Sequence, residues 1–217
     1  VAVADGEGIT EILYGCGADV VISGGATMNT PSQSFVDAFK SLDADKIVVL
    51  PDNENIVSSA EQAAKICGIE QKTTIIPTAS MLEGYYALAY GSPDVEDVEE
   101  RVSLMKDGAA SITTVCVARA VKDYKSADFA CKKGQYIGFI GKKLVSADDD
   151  MISALAKAIE RVPDLSEKGS MVILKGAKIT DKQQSDIDEL FEQRFADIGR
   201  DFLYGGKTAY DVIVGIV

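Results

Sequence analysis

Short apolar runs alternate with amphipathic stretches through the first 90 residues. Val1 to Ala4, Val20 to Ile22, Ile47 to Leu50 and Thr73 to Ile76 are brief runs rich in β-branched side chains, each leading into a turn of small polar residues. Behind each turn, apolar residues recur at helical spacing. The sets are Ile9, Ile12 and Leu13; Phe35, Ala38, Phe39 and Leu42; Ile56, Ala60, Ala63 and Cys67; Leu82, Tyr85, Tyr86 and Ala89. Gly15 and Gly17 close the first helix, Ser32 stands where a cap for the second is expected, and Gly68 stops the third. Strand–loop–helix units of this kind predict an α/β fold: a parallel sheet with helices on both faces, joined by right-handed crossovers.

The pattern changes at Pro93 and the acidic stretch Asp94 to Glu100. A helix with Val95, Val98, Val102 and Met105 on one face follows and is placed to bridge two lobes. Beyond it the strands are longer and alternate: Ser111 to Arg119, Gln135 to Ile140, and a return through Lys143-Leu144-Val145 across Gly141. Ser146 to Asp149 reads as a helix start ahead of Met151, Leu155, Ala158, Ile159 and Val162. Met171 to Leu174 is a strand, and Thr180 with Gln183 forms a T-x-x-Q capping box before Ile187, Leu190, Phe191 and Phe195. The expected division is a parallel α/β lobe over residues 1–92 and a smaller α+β lobe over 93–217, around a mixed or antiparallel sheet.

Composition narrows the chemistry. The chain has 217 residues with no histidine, so no histidine base, serine–histidine pair, imidazole ligand or phosphohistidine is possible. Its 34 acidic and 22 basic side chains give a net charge of −12, which disfavours a nucleic-acid partner. No apolar run reaches the ~18 residues needed to cross a bilayer. The scattered cysteines Cys16, Cys67, Cys116 and Cys131 show no C-x-x-C spacing and suit the cytoplasm. Cys16, Cys67 and Cys116 have apolar neighbours; Cys131, before Lys132 and Lys133, has neighbours that favour a thiolate. A chain that starts inside a core strand at Val1 reads as a fragment whose upstream part is missing.

In a parallel α/β sheet the ligand crevice lies beyond the carboxyl ends of the strands. Three loops belong there, Gly24 to Ser32, Pro51 to Asn55 and Pro77 to Ser80. They offer Gly24 and Gly25 for close backbone approach and Thr27, Asn29, Thr30, Ser32, Asn53, Asn55, Thr78 and Ser80 as polar partners. With no cation in these loops, a neutral group, a weakly held anion or a protein surface fits better than a tightly bound phosphate. The same residues also serve as ordinary caps and turn formers. Gly6-Glu7-Gly8 lacks the third glycine and the distal acid of a dinucleotide fingerprint, and no phosphate loop or nucleophile elbow occurs. Asp148-Asp149-Asp150 sits at a helix start as a solvated cap rather than a metal cluster. Arg119 and Lys122-Asp123 suggest a surface ion pair, and Gly205-Gly206-Lys207 a turn.

The stretches V-V-I-S-G-G-A-T-M-N-T-P-S, I-V-V-L-P-D-N-E-N-I and I-I-P-T-A-S-M-L-E-G resemble the C-terminal region of bacterial fatty acid kinase A subunits. That family is also known as the dihydroxyacetone-kinase-like, DegV-associated or Dak phosphatase type. A-V-A-D-G-E-G, Ala118 to Val121, Lys133 to Gly138 and Gly205-Gly206 extend the resemblance over nearly the whole chain. The three loops also look like a distant version of those of DegV-type fatty-acid-binding proteins. Pro31 and Ser32 match there, but Asp52 to Ile56 replaces the serine and glycine expected to hold an acyl carboxylate, and Glu54 would repel one.

The resemblance implies a non-catalytic C-terminal domain of an ATP-dependent acyl kinase. Such a domain docks the acyl-carrying DegV-type partner or forms a homodimer; the alternative is a DegV-like fatty-acid or small-anion binding domain. ATP and magnesium are implied only for an N-terminal kinase domain outside this sequence, with no cofactor, metal or catalytic set in the chain itself.

Overall fold

The computed structural model describes residues 1–25, 30–125 and 129–217. The chain divides into two units, Val1–Ile112 and Thr113–Val217.

The first unit runs β1 (Ala2–Ala4), α1 (Glu7–Gly15), β2 (Val21–Ser23), α2 (Ser32–Ser41), β3 (Ile47–Val49), α3 (Glu54–Cys67), β4 (Thr73–Ile75), α4 (Met81–Tyr90) and α5 (Val98–Ser111). β1 pairs parallel with β2, and β3 parallel with β4. A parallel bridge between Ala2 and Leu50 joins the two pairs, with the Val3 N–H donating to Leu50 O and the Leu50 N–H to Val1 O. The strands therefore run in the order β2-β1-β3-β4. The connections leaving β1 and β3 diverge to opposite sides, which makes their carboxyl ends the topological switch point of the sheet.

Val3, Ile22, Ile47 and Val49 form one core with Phe35 and Phe39 of α2 and Ile56, Ala60 and Ala63 of α3. Phe35 and Ile56 are fully buried, and such a side chain contributes about 1.5–3 kcal/mol. The helix ends follow local chemistry. The Asn53 side chain caps α3 by accepting the Asn55 N–H, and Gly68 ends it at φ 66°, a conformation with no Cβ penalty for glycine.

The helix after the acidic stretch is α5, and it belongs to the first unit. Val102, Met105 and Gly108 are buried, and Gly108 lies so close to α4 that a Cβ there would stand 2.6 Å from the Tyr86 carbonyl. That close packing sets the unit boundary after residue 112 rather than at 92. Val98, expected on the buried face, is 44% exposed at the helix start. Ser32 is also placed differently from the sequence expectation. Pro31 occupies the N-cap position of α2, no side chain caps it, and the Ser32 hydroxyl donates to Gln62 Oε1 of α3 instead.

The second unit contains β5 (Thr113–Arg119), β6 (Tyr124–Lys125), β7 (Ala130–Cys131), β8 (Tyr136–Ile140), β9 (Lys143–Asp148), α6 (Met151–Ile159), β10 (Ser170–Gly176), α7 (Asp181–Arg194), β11 (Gly199–Gly206) and β12 (Val212–Ile216). Six strands form a mixed sheet in the order β11-β10-β12-β5-β8-β9, in which β10 and β11 are parallel and the other neighbours antiparallel. Val115, Val117, Ile173, Val212 and Val214 pack with Leu155 and Ile159 of α6 and Ile187 and Phe191 of α7.

The capping box at Thr180 and Gln183 is present with both reciprocal bonds. Ser146 to Asp149 does not begin a helix, however. β9 extends through Asp148, paired with β8 across a register shift between Gly138 and Phe139, the buried Ser146 hydroxyl donates to Ala154 O, and Asp150 is the residue that caps α6. β6 and β7 form a separate small antiparallel pair that the sequence pattern did not suggest.

Candidate functional site

The three loops meet at the carboxyl ends of the parallel strands and are tied to one another. The Asn53 Nδ2 donates to Gly25 O at 3.1 Å, joining the loops after β2 and β3. The Asp52 N–H donates to Thr78 Oγ1 at 2.9 Å, joining the loops after β3 and β4. The Asp5 N–H donates to the Met81 sulfur, tying the turn after β1 to the start of α4. At that start Ser80 accepts the Glu83 N–H, and the Glu83 carboxylate accepts the Ala79 N–H at 2.7 Å. The S-x-x-E spacing gives this turn its rigidity.

The structure brings Gly24, Gly25, Thr30, Asn53, Thr78 and Ser80 into this edge. Gly24 is pressed against Thr30 and Val3, and Gly25 against Asp5. Asn55 is exposed in the first turn of α3, where its N–H is held by Asn53. Ser32 is engaged with Gln62 away from the loop contacts. Thr27 and Asn29 lie outside the described residues. Of the polar side chains expected to face a ligand, Asn53, Thr78 and Ser80 hold backbone groups instead, and Thr78 is fully buried.

Two acids of this edge, Asp52 and Glu83, are not among the residues the sequence singles out. Asp52 is only 5% exposed, sits at φ 53°, and neither carboxylate oxygen has a well-oriented hydrogen-bond partner among the described residues. Burial pushes its carboxyl well above the usual range; the neighbouring Thr78 side chain opposes this, and the negative charge of Glu83 reinforces it. Glu83 is also pushed up by burial, against the pull of the Ala79 N–H and Ser80, with Glu54 adding to the rise. Thr30 Oγ1, 1% exposed, is a second buried polar atom with no partner among the described residues. The one signal available in the sequence was Asp52 itself, an acid directly behind the apolar strand Ile47 to Leu50 and Pro51.

A cavity of about 590 Å³ opens at the other end of the same sheet. Leu42, Ile47, Leu50, Leu88 and Met105 line it together with Lys46 and Arg101, and none of the expected site residues reaches it.

The remaining candidates have structural roles. Asp150 caps α6 through the Ser153 N–H, and Asp148 pairs with Lys157 at 2.6 Å. No group of three His, Cys, Asp or Glu residues that could hold a metal occurs among the described residues. Cys131 is buried, as is Cys116, while Cys16 and Cys67 are half-buried, and none of the four forms a disulfide. The guanidinium of Arg119 lies 4.4 Å over the Tyr136 ring and donates to its hydroxyl, while Asp123 accepts the Lys133 N–H. No helix is long and apolar enough to cross a membrane among the described residues.

Residues 1–216 match the sequence model of the FakA-like C-terminal family, the C-terminal part of proteins like the A component of fatty acid kinase. The chain is 28% identical to Protein YloV of Bacillus subtilis over 215 residues, covering 99% of this chain and 38% of that protein. It therefore spans well under half the length of this curated relative. Among solved structures it is similar to the DegV family protein Cg2579 of Corynebacterium glutamicum, with a TM-score of 0.70 at 14% identity over 100% of this chain and 95% of the other. It is also similar to the Streptococcus pneumoniae Fatty Acid Kinase (Fak) B3 protein loaded with linoleic acid. That TM-score is 0.57 at 10% identity, over 88% of this chain and 76% of the other. At these identities the structural likeness establishes an α/β fold of DegV type and nothing finer.

Proposed function

The chain belongs to the FakA-like C-terminal family of fatty acid kinases, and we propose that it is the part of such a kinase that docks a DegV-type, acyl-carrying protein or pairs two copies of the kinase. The observation that carries this reading is the condition of the sheet edge. Asn53 and Thr78 spend hydrogen bonds on neighbouring loops and Ser80 caps its own helix, which makes a rigid surface rather than an open polar cradle. A preorganised surface limits the ordering cost of association.

The phosphoryl-transfer chemistry belongs to another part of the kinase. The chain has no histidine and no nucleotide-binding motif, and its described residues hold no metal-ligand group. On the family likeness, ATP and magnesium are assigned to another part of such a kinase. The fatty acid carried by the Fak B3 neighbour suggests the cargo of the docking partner.

Calorimetric titration with the acyl-loaded DegV-type protein of the same organism tests the assignment. Saturable binding is expected, and it should be lost when Asn53 and Asn55 are both replaced by lysine. Unchanged affinity in that variant would move the contact away from this edge. Sedimentation of the chain alone tests self-association.

A second reading has its own observation. The 590 Å³ cavity, of mixed polar and apolar lining with Lys46 and Arg101 beside Asp19 and Asp43, offers room for a fatty acid or small anion at the opposite sheet edge. It predicts a copurified ligand in the mass spectrum of denatured protein, and a rise in melting temperature with long-chain fatty acid. A clean spectrum with no thermal shift sinks it.

A further inference from the structure

The net charge of the chain is carried by one unit. Residues 1–112 hold 18 acidic and six basic side chains, whereas residues 113–217 hold 16 of each. Within the acidic unit, Asp5, Glu7, Asp52, Glu54 and Glu83 all stand on the segments that leave the carboxyl ends of the strands. No Lys or Arg occurs in residues 1–39, 47–64 or 73–100, which supply those segments.

Exposed carboxylates alone make a solvated face. Asp52 is a different case, because its carboxyl is buried and neither oxygen has a well-oriented hydrogen-bond partner among the described residues. It is turned inward by a left-handed backbone onto Gly84 in the first turn of α4, between Thr78 and Glu83. Folded proteins rarely keep a buried carboxyl unpaired, and other acids beside it raise the cost. What the arrangement lacks is a cation. The described residues offer no metal-ligand group, whereas a guanidinium or ammonium supplies hydrogen-bond donors and charge together.

We propose that this edge receives a Lys or Arg side chain of the docking partner, which passes the exposed Glu54 and the half-buried Glu83 and pairs with the Asp52 carboxyl. The inference rests on the docking reading and specifies the chemistry of the partner's surface. Among the described residues, Asp52 faces Glu83 and Gly84 from α4 and Thr78 from the loop after β4, while Glu54 of α3 acts on Glu83 and Asp5 stands against Gly25. No positive charge of this chain's own loops competes for the position. An arriving cation favours the ionised carboxyl, so docking releases a proton.

The test uses the whole 217-residue chain titrated calorimetrically with the acyl-loaded DegV-type protein, in phosphate and in Tris at one pH and at two salt concentrations. Added salt should weaken docking, and Glu54→Gln with Glu83→Gln should weaken it roughly ten-fold. The binding heat should differ between the buffers in the parent chain, and Asp52→Asn should abolish the difference. Docking that ignores salt, the paired Gln variant and buffer identity overturns the basic-partner inference and leaves docking itself intact. If the DegV-type protein does not bind at all, the docking reading fails, and a hexa-arginine peptide then decides the remainder. Peptide-induced shifts of the Asn53, Thr78 and Gly84 amide resonances that vanish in the paired Gln variant support recognition of a basic group. Absence of those shifts overturns it.

Discussion

The Oδ1 atom of Asp52 lies 2.5 Å from the point where a Cβ on Gly84 would stand. The missing side chain of one residue is therefore the space that the buried carboxyl of the other occupies. The two residues are thirty-two positions apart, on the loop after β3 and in the first turn of α4. Their contact helps to fix where α4 begins relative to the strand ends.

Gly84→Ala should destabilise the first unit even though alanine favours a helix interior by about 1 kcal/mol. Forcing a methyl against a confined carboxyl costs about 1–3 kcal/mol. Adding Asp52→Gly removes the obstacle and frees the left-handed backbone position, so the double variant should recover most of the loss. Urea unfolding of the four proteins in the cycle measures the coupling. Additive effects would mean that the two residues do not share this space.

Asp52 also sets a pH dependence. Its folded-state carboxyl is raised by burial, so the folded protein keeps a proton that the unfolded chain releases. Its favourable contribution is complete below the ordinary carboxylate range and is lost as pH rises towards the raised folded value. Asp52→Asn, which tolerates the same left-handed backbone, should raise the melting temperature more at pH 8 than at pH 4.5. Glu83 shifts in the same direction and is present in both proteins, so the difference between them isolates Asp52. An equal gain at both pH values would refute the assignment.

In the second unit, Thr180→Ala should cost about 1 kcal/mol, because it leaves the Gln183 N–H at the start of α7 without its side-chain acceptor. Gln183→Ala removes the reciprocal bond to the Thr180 N–H. The two effects should be less than additive in denaturant titrations, since each bond orients the other residue.

Burial pushes the Tyr210 phenol up to about 12, with the nearby Cys116 thiol adding to the rise. Absorbance titration at alkaline pH should therefore show a late-ionising tyrosine. Tyr210→Phe should remove that last step and leave the earlier part of the curve in place. A late step that persists in the variant belongs to another residue.

Local chemistry made much of the fold legible. The β-branched runs at Val21 and Ile47, the glycine stop at Gly68 and the Thr180–Gln183 box each depend on residues within a turn or two, and each appears where periodicity places it. The site was harder to read because its defining property is long-range. Asp52 looks like any turn acid until Gly84 leaves room for it and Thr78 takes its N–H. The same limit explains α5: its apolar face is evident in sequence, but only the contact of Gly108 with Tyr86 assigns it to the first unit. Ser32 was misplaced because Pro31, with φ already fixed, can open a helix without any side-chain cap.

The strand order of the second unit carries a consequence for synthesis. β12 lies between β10 and β5, so the β5-β8-β9 meander and the β10-β11 pair remain separate until Val212–Ile216 inserts between them. β5 waits almost a hundred residues for that neighbour, whereas every strand pairing of the first unit closes within about fifty. A ribosome thus delivers a first unit whose strand pairings are closer in sequence, followed by one whose sheet becomes continuous only when β12 arrives. Until then the facing edges of β5 and β10 are open, and that interval is when this chain is most exposed to pairing with the wrong strand.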